Sequence, residues 1–223
     1  MLIFGHRGAS GYSRRGENTC ASFRKALQHQ ATGLEFDVRR CGDGRLVVIH
    51  DATINRTTNG SGRVSELSYK DLLQFDAGFG ERIPLLADVL DEFGAQCLLN
   101  IELKDAGIAT DVKQLVLDRR LESQVIVSAF DWTELRPFIP DVPIALLCRS
   151  KPRELISAAL QLGAAAIHPR RRIVTPQLIA ASRDANLRIH VWTVNRLAEI
   201  SRLRELGVDG IFTDFPERCA IRT

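Results

Sequence analysis

Short apolar runs alternate with amphipathic segments along almost the whole chain. Eight of these runs have strand character, because they are rich in aliphatic and β-branched residues and are bounded by polar turns. They read LIFG, GLEFDV, CLLNIELK, VIVSAF, PIALLC, AAAIHP, RIHVWTV and DGIFTD. Most are followed by a stretch with apolar residues three or four positions apart, which is typical of a helix that packs on a sheet. The pattern predicts eight strands that alternate with helices.

The predicted helices favour parallel pairing of the strands. They read TCASFRKALQHQ, PLLADVLDEFG, DVKQLVLDRRL, WTELRPFI, PRELISAALQLG, TPQLIAASRDAN and RLAEISRLRELG. Parallel strands joined by right-handed helical crossovers close most simply into a (β/α)8 TIM barrel, an α/β fold. An open doubly wound sheet is the alternative, which the absence of a GxGxxG or Walker A loop disfavours. No repeat or linker divides the chain, so we expect one domain over residues 1–223.

A hairpin signal interrupts the alternation after the second predicted strand. The segment VRRCGDGRLVVIHD contains Asp43-Gly44, a strong two-residue hairpin turn. With these two residues at the turn, Asp37 lies opposite His50. Glu35 shares the face of Asp37, because side chains alternate along a strand. The spacing therefore predicts that Glu35, Asp37 and His50 converge.

The ends of the other predicted strands carry further polar candidates. Barrel enzymes place their chemistry where the strands end and the following loops begin. His6 and Arg7 follow the first strand, and Glu102 and Lys104 end the third. Trp192 lies on the seventh predicted strand and either stacks on a substrate or fills the barrel.

Three of the candidates are carboxylates, which predicts a bound cation. Glu35, Asp37 and Glu102 at one barrel mouth would repel one another unless a positive ion neutralised them. Mg²⁺ and Ca²⁺ prefer oxygen ligands, so we expect one of these two ions. Zinc is disfavoured because no cysteines are arranged near these positions.

Composition and charge indicate which partners and which location in the cell the sequence favours. The 223 residues include 30 basic and 27 acidic side chains, and the resulting charge of +3 is scattered, so no nucleic-acid partner is indicated. The five cysteines form no CxxC pair, which favours reduced thiols and a cytoplasmic location. We expect no secretion signal and no membrane span. No pattern indicates an oligomeric state.

A set of short motifs in fixed order resembles the glycerophosphodiester phosphodiesterase family. The set runs from His6 to Pro216, nearly the whole chain, and is specific although each piece is weak alone. Two stretches, RRCGDG and IPLLADVL, differ from the family's usual wording, outside the ligand positions. The motifs are HRG at 6–8, ENT at 17–19, EFDV at 35–38, DGRLVVIHD at 43–51, NRTTNGSG at 55–62, IELK at 101–104, VWTVN at 191–195 and GVDGIFTDFP at 207–216.

The resemblance implies a metal-dependent phosphodiesterase. Such enzymes cleave diesters such as glycerophosphocholine into sn-glycerol 3-phosphate and a free alcohol. The likeness implies that His6 and His50 are the general acid and base, and we expect His50 to protonate the leaving alcohol. The nucleophile is either water or the glycerol 2-hydroxyl. The remaining implied roles are metal binding by Glu35, Asp37 and Glu102 and phosphate binding by Arg7. Because negative charge develops on the phosphoryl oxygens, we expect Lys104 to contact them as well. The likeness favours Trp192 at the mouth, against the substrate.

Smaller features complete the expected site. Residues 52–83 are predicted to be an insertion that caps the barrel mouth. In the ENT motif, Asn18 or Thr19 is expected to cap the first helix, and Glu17 to order the loop of Arg7. Asp214 is interpreted as a turn residue at a strand end. The basic run HPRRR at 168–172 is interpreted as a solvated face, with steering of anionic substrates as the alternative.

Other functions fit the sequence less well. A phosphodiesterase of lysophospholipase D type, acting on bulkier lipid diesters, would use the same residues. A non-catalytic barrel that binds glycerophosphodiesters is poorly motivated, because the two histidines and three acidic positions are all present. A metal-independent isomerase or aldolase is less compatible still.

Overall fold

A computed structural model of the protein describes residues 1–13, 16–150 and 152–219. The expected domain boundaries 1–223 extend to residues outside these ranges. None of the helices in the described ranges combines the length and the apolar content that crossing a bilayer requires. The strands are β1 (Leu2–His6), β2 (Gly33–Arg40), β3 (Leu46–Val48), β4 (Leu98–Leu103), β5 (Val125–Ala129), β6 (Ile144–Cys148), β7 (Ala166–Pro169), β8 (Arg188–Val191) and β9 (Gly210–Thr213).

Eight of the described strands close into a barrel. The order is β1-β9-β8-β7-β6-β5-β4-β2, and β1 also pairs with β2, which joins the two ends. Every pair around the ring is parallel. The predicted (β/α)8 TIM barrel is therefore confirmed, and β3 is an additional strand antiparallel to β2.

Helices alternate with these strands, largely as the periodicity predicts. The exception is the segment WTELRPFI, where the structure has a 3₁₀ helix over Trp132–Phe138 rather than an α-helix. Pro137 lies inside it and has no N–H to donate, which opposes a regular α-helix. The α-helices are α1 (Cys20–Gln28), α2 (Tyr69–Leu72), α3 (Leu86–Phe93), α4 (Ala109–Asp118), α5 (Pro152–Leu162), α6 (Pro176–Asp184) and α7 (Leu197–Leu206).

The hairpin after β2 is one residue out of the predicted register. Val38 pairs with Val48, and the N–H of Ile49, not of His50, donates to the carbonyl of Asp37 at 2.9 Å. The prediction that His50 lies opposite Asp37 is therefore wrong. His50 follows the end of β3, and its carbonyl accepts a hydrogen bond from Arg39 Nε at 2.9 Å.

The physical reason is the length of the hairpin loop. The N–H of Cys41 donates to the carbonyl of Arg45 at 2.9 Å, so three residues rather than two form the turn. Gly44 closes it with φ +89°, in the left-handed region that a three-residue hairpin loop requires at this position. The extra loop residue shifts every opposed pair by one.

Alternation along β2 separates core residues from site residues. Leu34, Phe36 and Val38 are fully buried in the main apolar core, where the Phe36 ring lies 5.6 Å from that of Phe23 on α1. Glu35 and Asp37, between them, belong to the opposite face of the strand and face the barrel interior. The packing of α1 on β2 therefore fixes the direction of both carboxylates.

The segment between β3 and α3 has its own apolar cluster. Ile54, Val64, Leu72 and Ile83 are all 3% exposed or less. The segment is further tied to the barrel by the antiparallel bridge between Val47 and Leu85. The segment therefore packs as an ordered structure beside the hairpin, held by its apolar cluster and by this backbone bridge.

Candidate active site

The three predicted carboxylate ligands meet at one end of the barrel. Asp37 on β2 is in register with Glu102 on β4, and Glu35 lies two residues before Asp37. One oxygen from each of the three carboxylates lies within 4.8 Å of the other two. Glu35, Asp37 and Glu102 are 3%, 0% and 8% exposed, so water does little to screen their charges.

This cluster has the chemistry of a site for a hard cation. Burial and the charge of Asp37 raise the pKa of Glu35 to about 8, and the same two causes raise the pKa of Glu102. Asn100 lies opposite Glu35 in the sheet, and its buried Oδ1 has no hydrogen-bond partner among the described residues. Clustered carboxylate and amide oxygens are the donors that Mg²⁺ and Ca²⁺ select. The residues present therefore fit such an ion.

Two cationic side chains border the same carboxylates. Lys104 Nζ lies 3.0 Å from Asp37 Oδ1 and also pairs with Glu102. Arg7 Nε lies 3.1 Å from Asp37 Oδ2. Although burial acts in the opposite direction, Lys104 and Arg7 hold the pKa of Asp37 well below its ordinary value. Asp37 therefore stays ionised between two positive charges.

The glycines around Arg7 let the loop after β1 approach the site. Arg7 has φ +56°, and its N–H donates to the backbone carbonyl and to Oε2 of Glu35, both at 2.9 Å. Gly8 follows with φ +83°, and a Cβ there would lie 2.3 Å from Ser22 Oγ. Gly5 has similar constraints, because its Cβ would lie 2.8 Å from that of Ala26. Only glycine fits these two positions without displacement of α1.

His6 is held by an aspartate from the opposite end of the chain. Its Nδ1–H donates to Asp214 Oδ1 at 2.6 Å, and Nε2 lies 4.0 Å from Glu35 Oε2. Asn195 Nδ2 also donates to Asp214, at 2.6 Å. Burial lowers the pKa of His6, but Glu35 and Asp214 outweigh it and leave that pKa raised. Asp214 is thus more than the turn residue that the sequence suggested.

His50 has an equivalent partner close in sequence. Its Nδ1–H donates to Asp51 Oδ1 at 2.6 Å. Arg56 from the following segment donates to Asp51 at 2.7 Å and to Glu17 at 2.7 and 2.9 Å. Burial lowers the pKa of His50, as do Arg7 and Lys104, and the nearby Asp37 and Asp51 do not fully offset them.

The ENT motif has the geometry expected from the sequence. Thr19 is the N-cap of α1 and accepts a hydrogen bond from the N–H of Ser22. Glu17 Oε1 accepts one from Arg7 at 2.9 Å, which orders the loop of that arginine. Asn18 has a role that the sequence did not reveal, because its Nδ2 donates to Asp37 Oδ2 at 2.9 Å.

A cavity of about 120 Å³ joins these groups to an aromatic wall. Trp192 follows β8, and its Nε1–H donates to the carbonyl of His168 at 2.6 Å. The ring of Phe130 meets that of Trp192 edge to face at 5.6 Å. Sequence reasoning named Trp192 but missed Phe130 and Arg149, which also follow barrel strands. Besides these three, the lining includes His6, Arg7, Glu35, His50, Asn100, Glu102, Lys104, Leu147 and His168.

Comparison with known proteins gives one consistent result. Residues 6–218 match the model of the glycerophosphoryl diester phosphodiesterase family. A glycerophosphodiester phosphodiesterase of Caldanaerobacter subterraneus is 36% identical over 97% of this chain and 95% of its own length. One from Bacillus altitudinis is 37% identical over 97% and 95%.

Solved structures agree with the sequence comparison. A glycerophosphodiester phosphodiesterase from Agrobacterium tumefaciens has a TM-score of 0.87 at 30% identity, with 98% of each chain covered. A phosphodiesterase from Oleispira antarctica, solved in complex with the product sn-glycerol-3-phosphate, has a TM-score of 0.86 at 26% identity. That match covers 98% of this chain and 95% of the other.

Proposed function

Because the chain belongs to the glycerophosphoryl diester phosphodiesterase family and is an enzyme of that class, we propose that it hydrolyses glycerophosphodiesters to sn-glycerol 3-phosphate and a free alcohol in a metal-dependent reaction. The observation that carries the proposal is the convergence of Glu35, Asp37 and Glu102 within 4.8 Å. The product complex of the Oleispira antarctica phosphodiesterase supports the choice of product.

The three carboxylates would hold Mg²⁺ or Ca²⁺ as the cofactor. Bound there, the cation would act as a Lewis acid on a phosphoryl oxygen and would hold the phosphate in place. Arg7 and Lys104, which border the carboxylates, would bind the remaining phosphoryl oxygens. Negative charge grows on these oxygens in the transition state, so both cations stabilise that state more than the bound substrate.

His6 and His50 would move the protons. In each histidine an aspartate accepts the hydrogen bond from Nδ1, so Nε2 is left free for substrate. The raised pKa of His6 and the lowered pKa of His50 favour His6 as the acid and His50 as the base. This is the reverse of the assignment expected from the sequence.

A substrate with a good leaving group tests the two roles. The p-nitrophenyl ester of glycerol 3-phosphate needs no proton on its leaving group. It should therefore restore activity to His6→Ala and not to His50→Ala, and the opposite result would exchange the roles.

Product analysis in a single turnover tests the nucleophile. A cyclic phosphate would identify the glycerol 2-hydroxyl as the nucleophile, and its absence would identify water.

The remaining proposals concern substrate packing, the cap over the barrel mouth, the location in the cell and the binding partners. Trp192, fixed by the carbonyl of His168, would pack against the substrate together with Phe130. Residues 52–83 would cap the mouth within a single domain, which the contact of Arg56 with Asp51 supports. The five cysteines, all free in the structure, support a cytoplasmic location. We expect a small-molecule substrate and no nucleic-acid partner.

Release of glycerol 3-phosphate from glycerophosphocholine tests the proposed function. We expect EDTA to abolish the release, and Mg²⁺ or Ca²⁺ to restore it. His6→Ala and Glu102→Ala should each lose at least about a hundredfold in kcat, because each removes a group that acts in the transition state. Full activity in either variant, or in EDTA, would overturn the proposal.

A bulkier lipid diester remains a second candidate substrate. Phe79, in the segment between α2 and α3, is 85% exposed, and Leu73 is 37% exposed. Apolar side chains that are exposed to solvent are available to an acyl chain. Release of choline from lysophosphatidylcholine at a rate equal to that from glycerophosphocholine would support this alternative.

A further inference from the structure

Arg149 lines the cavity but has no role in the proposed reaction. It follows β6 directly and lines the cavity two strands along the barrel from β4, the strand that carries Glu102. Its guanidinium carbon lies 4.2 Å from the centre of the Phe130 ring. Phe130 in turn packs edge-on against Trp192, so the arginine rests on a wall that is itself fixed.

The guanidinium of Arg149 takes part in no salt bridge within the described part of the chain. No carboxylate within the described ranges forms an ion pair with it, whereas Arg7 and Arg56 each pair with Glu17. The acidic residue nearest to the wall in sequence, Asp131, accepts hydrogen bonds from Thr133 instead. An exposed guanidinium on an aromatic support therefore presents unused N–H donors to the cavity.

The positive charge of Arg149 disfavours a cationic headgroup beside Phe130. A quaternary ammonium is normally held over an aromatic face or beside a free carboxylate. The face of Phe130 is already covered by the guanidinium of Arg149. The acidic residues that line the cavity are Glu35 and Glu102, which belong to the cluster that would hold the metal ion.

The neighbouring strand end adds to the positive charge. Arg170 begins the loop after β7, and its N–H donates to the carbonyl of Cys148, the residue before Arg149. Its side chain is exposed and is without an ion pair within the described part of the chain. Arg149 and Arg170 thus follow neighbouring strands in register, and two positive charges at these strand ends favour an anionic group over a neutral or cationic one.

We propose that Arg149 forms a subsite for a second anionic group on the substrate, a carboxylate or a phosphate carried by the substituent that extends towards the end of β6. The inference rests on the proposed function and specifies its substrate class. Guanidinium groups pair with both anions through two parallel N–H donors, so the shared chemistry is a pair of anionic acceptor oxygens on one central atom. Glycerophosphodiesters with an anionic headgroup are then the better substrates.

Four diesters of glycerol 3-phosphate with headgroups of similar size test this subsite. Their headgroups are 2-hydroxyethyl, which is neutral, carboxymethyl, 2-phosphoethyl and choline. The metal-loaded enzyme is assayed as wild type, as Arg149→Gln and as Arg202→Gln. Arg202 is an exposed arginine on α7 that does not line the cavity, so its removal changes the net charge equally. The ratio of variant to wild-type kcat/KM cancels differences in leaving-group reactivity.

We expect Arg149→Gln to lower kcat/KM by about tenfold for the carboxymethyl or 2-phosphoethyl diester. This is the effect expected when one partly exposed, charged hydrogen-bonded pair is lost. The 2-hydroxyethyl and choline diesters should change by less than about twofold, as should all four with Arg202→Gln. The anionic diester that responds identifies carboxylate or phosphate as the group recognised.

Three outcomes would overturn the subsite: equal losses on all four diesters, no loss on either anionic diester, or an equal effect of Arg202→Gln. Cleavage of none of the four would instead overturn the proposed function.

Discussion

At the scale of single residues, the two histidines differ in what surrounds them. His6 and His50 each donate from Nδ1 to an aspartate at 2.6 Å. His6 lies beside the anionic cluster, which raises its pKa, whereas burial and the cations Arg7 and Lys104 lower the pKa of His50. One pocket therefore presents two imidazoles with opposite tendencies to hold a proton, as acid and base catalysis requires.

Asp214→Asn tests the contribution of the aspartate to His6. Because Asp214 raises the pKa of His6, its neutralisation should shift the corresponding limb of the kcat/KM profile to lower pH. We also expect kcat to fall by about tenfold or more, since the imidazole loses the partner that orients it. Asp184→Asn, at an exposed position on α6, is the matched control. A profile that keeps its wild-type shape would show that Asp214 does not act on His6.

The sequence was informative at positions where local geometry decides the outcome. Glu35 and Asp37 share a face of β2 by alternation, and Glu102 follows from the neighbouring parallel strand. Asp214 could not be assigned in this way, because it reaches His6 only when β9 pairs with β1 and closes the barrel. The contact joins residues 208 positions apart.

At the scale of elements, Arg56 links the segment after β3 to residues that hold the catalytic groups. Arg56 bonds Asp51, which holds His50, and Glu17, which holds Arg7. Glu17 is 9% exposed, so burial would raise its pKa, yet Arg56 and Arg7 keep that pKa low. A single side chain of this segment thereby helps to fix both sides of the active site.

Arg56→Gln should therefore affect both stability and catalysis. It leaves the buried carboxylate of Glu17 with one cation fewer, which we expect to cost about 2 kcal/mol in the free energy of unfolding. Loss of order at Asp51 should also lower kcat by about tenfold. Urea unfolding and steady-state kinetics measure the two effects. Arg63→Gln, which removes an exposed pair with Glu66, is the control, and equal behaviour of the two variants would contradict this role.

The hairpin shows where reasoning from the sequence fails at this scale. Asp43-Gly44 correctly indicated a turn, but a two-residue and a three-residue loop can both contain Asp-Gly. The structure uses three residues, so Ile49 takes the position expected for His50. His50 still lines the cavity, because the chain leaves the strand after Val48. The prediction that His50 belongs to the site therefore agrees with the structure, although the predicted register of the hairpin is wrong.

At the scale of the whole molecule, barrel closure gathers acidic groups at a cost to stability. Glu35 has a pKa of about 8 in the folded chain, above its ordinary value of 4.5. The folded protein then binds more protons than the unfolded chain between these two values. Without metal, its stability should fall as the pH rises from about 4.5 to about 8, and above that range the destabilisation is complete.

A metal ion should reverse this pH dependence. A cation bound to the three carboxylates stabilises the folded state by mass action, and it competes with protons for Glu35. We expect the rise in Tm on addition of Mg²⁺ or Ca²⁺ to be larger at pH 8 than at pH 5. Glu35→Gln should raise the Tm of the metal-free protein at pH 8 and reduce the response to metal. A metal response that is independent of pH and of this substitution would contradict the proposed ligand set.

The position of the cation is the central claim, and a crystal structure with Ca²⁺ and sn-glycerol 3-phosphate tests it most directly. We predict an anomalous peak with oxygen atoms of Glu35, Asp37 and Glu102 at about 2.3–2.6 Å, and a phosphate oxygen of the product among the ligands. The phosphate should lie between His6 and His50. A fully active crystal form in which the cation binds elsewhere, or in which the phosphate does not touch it, would contradict this account.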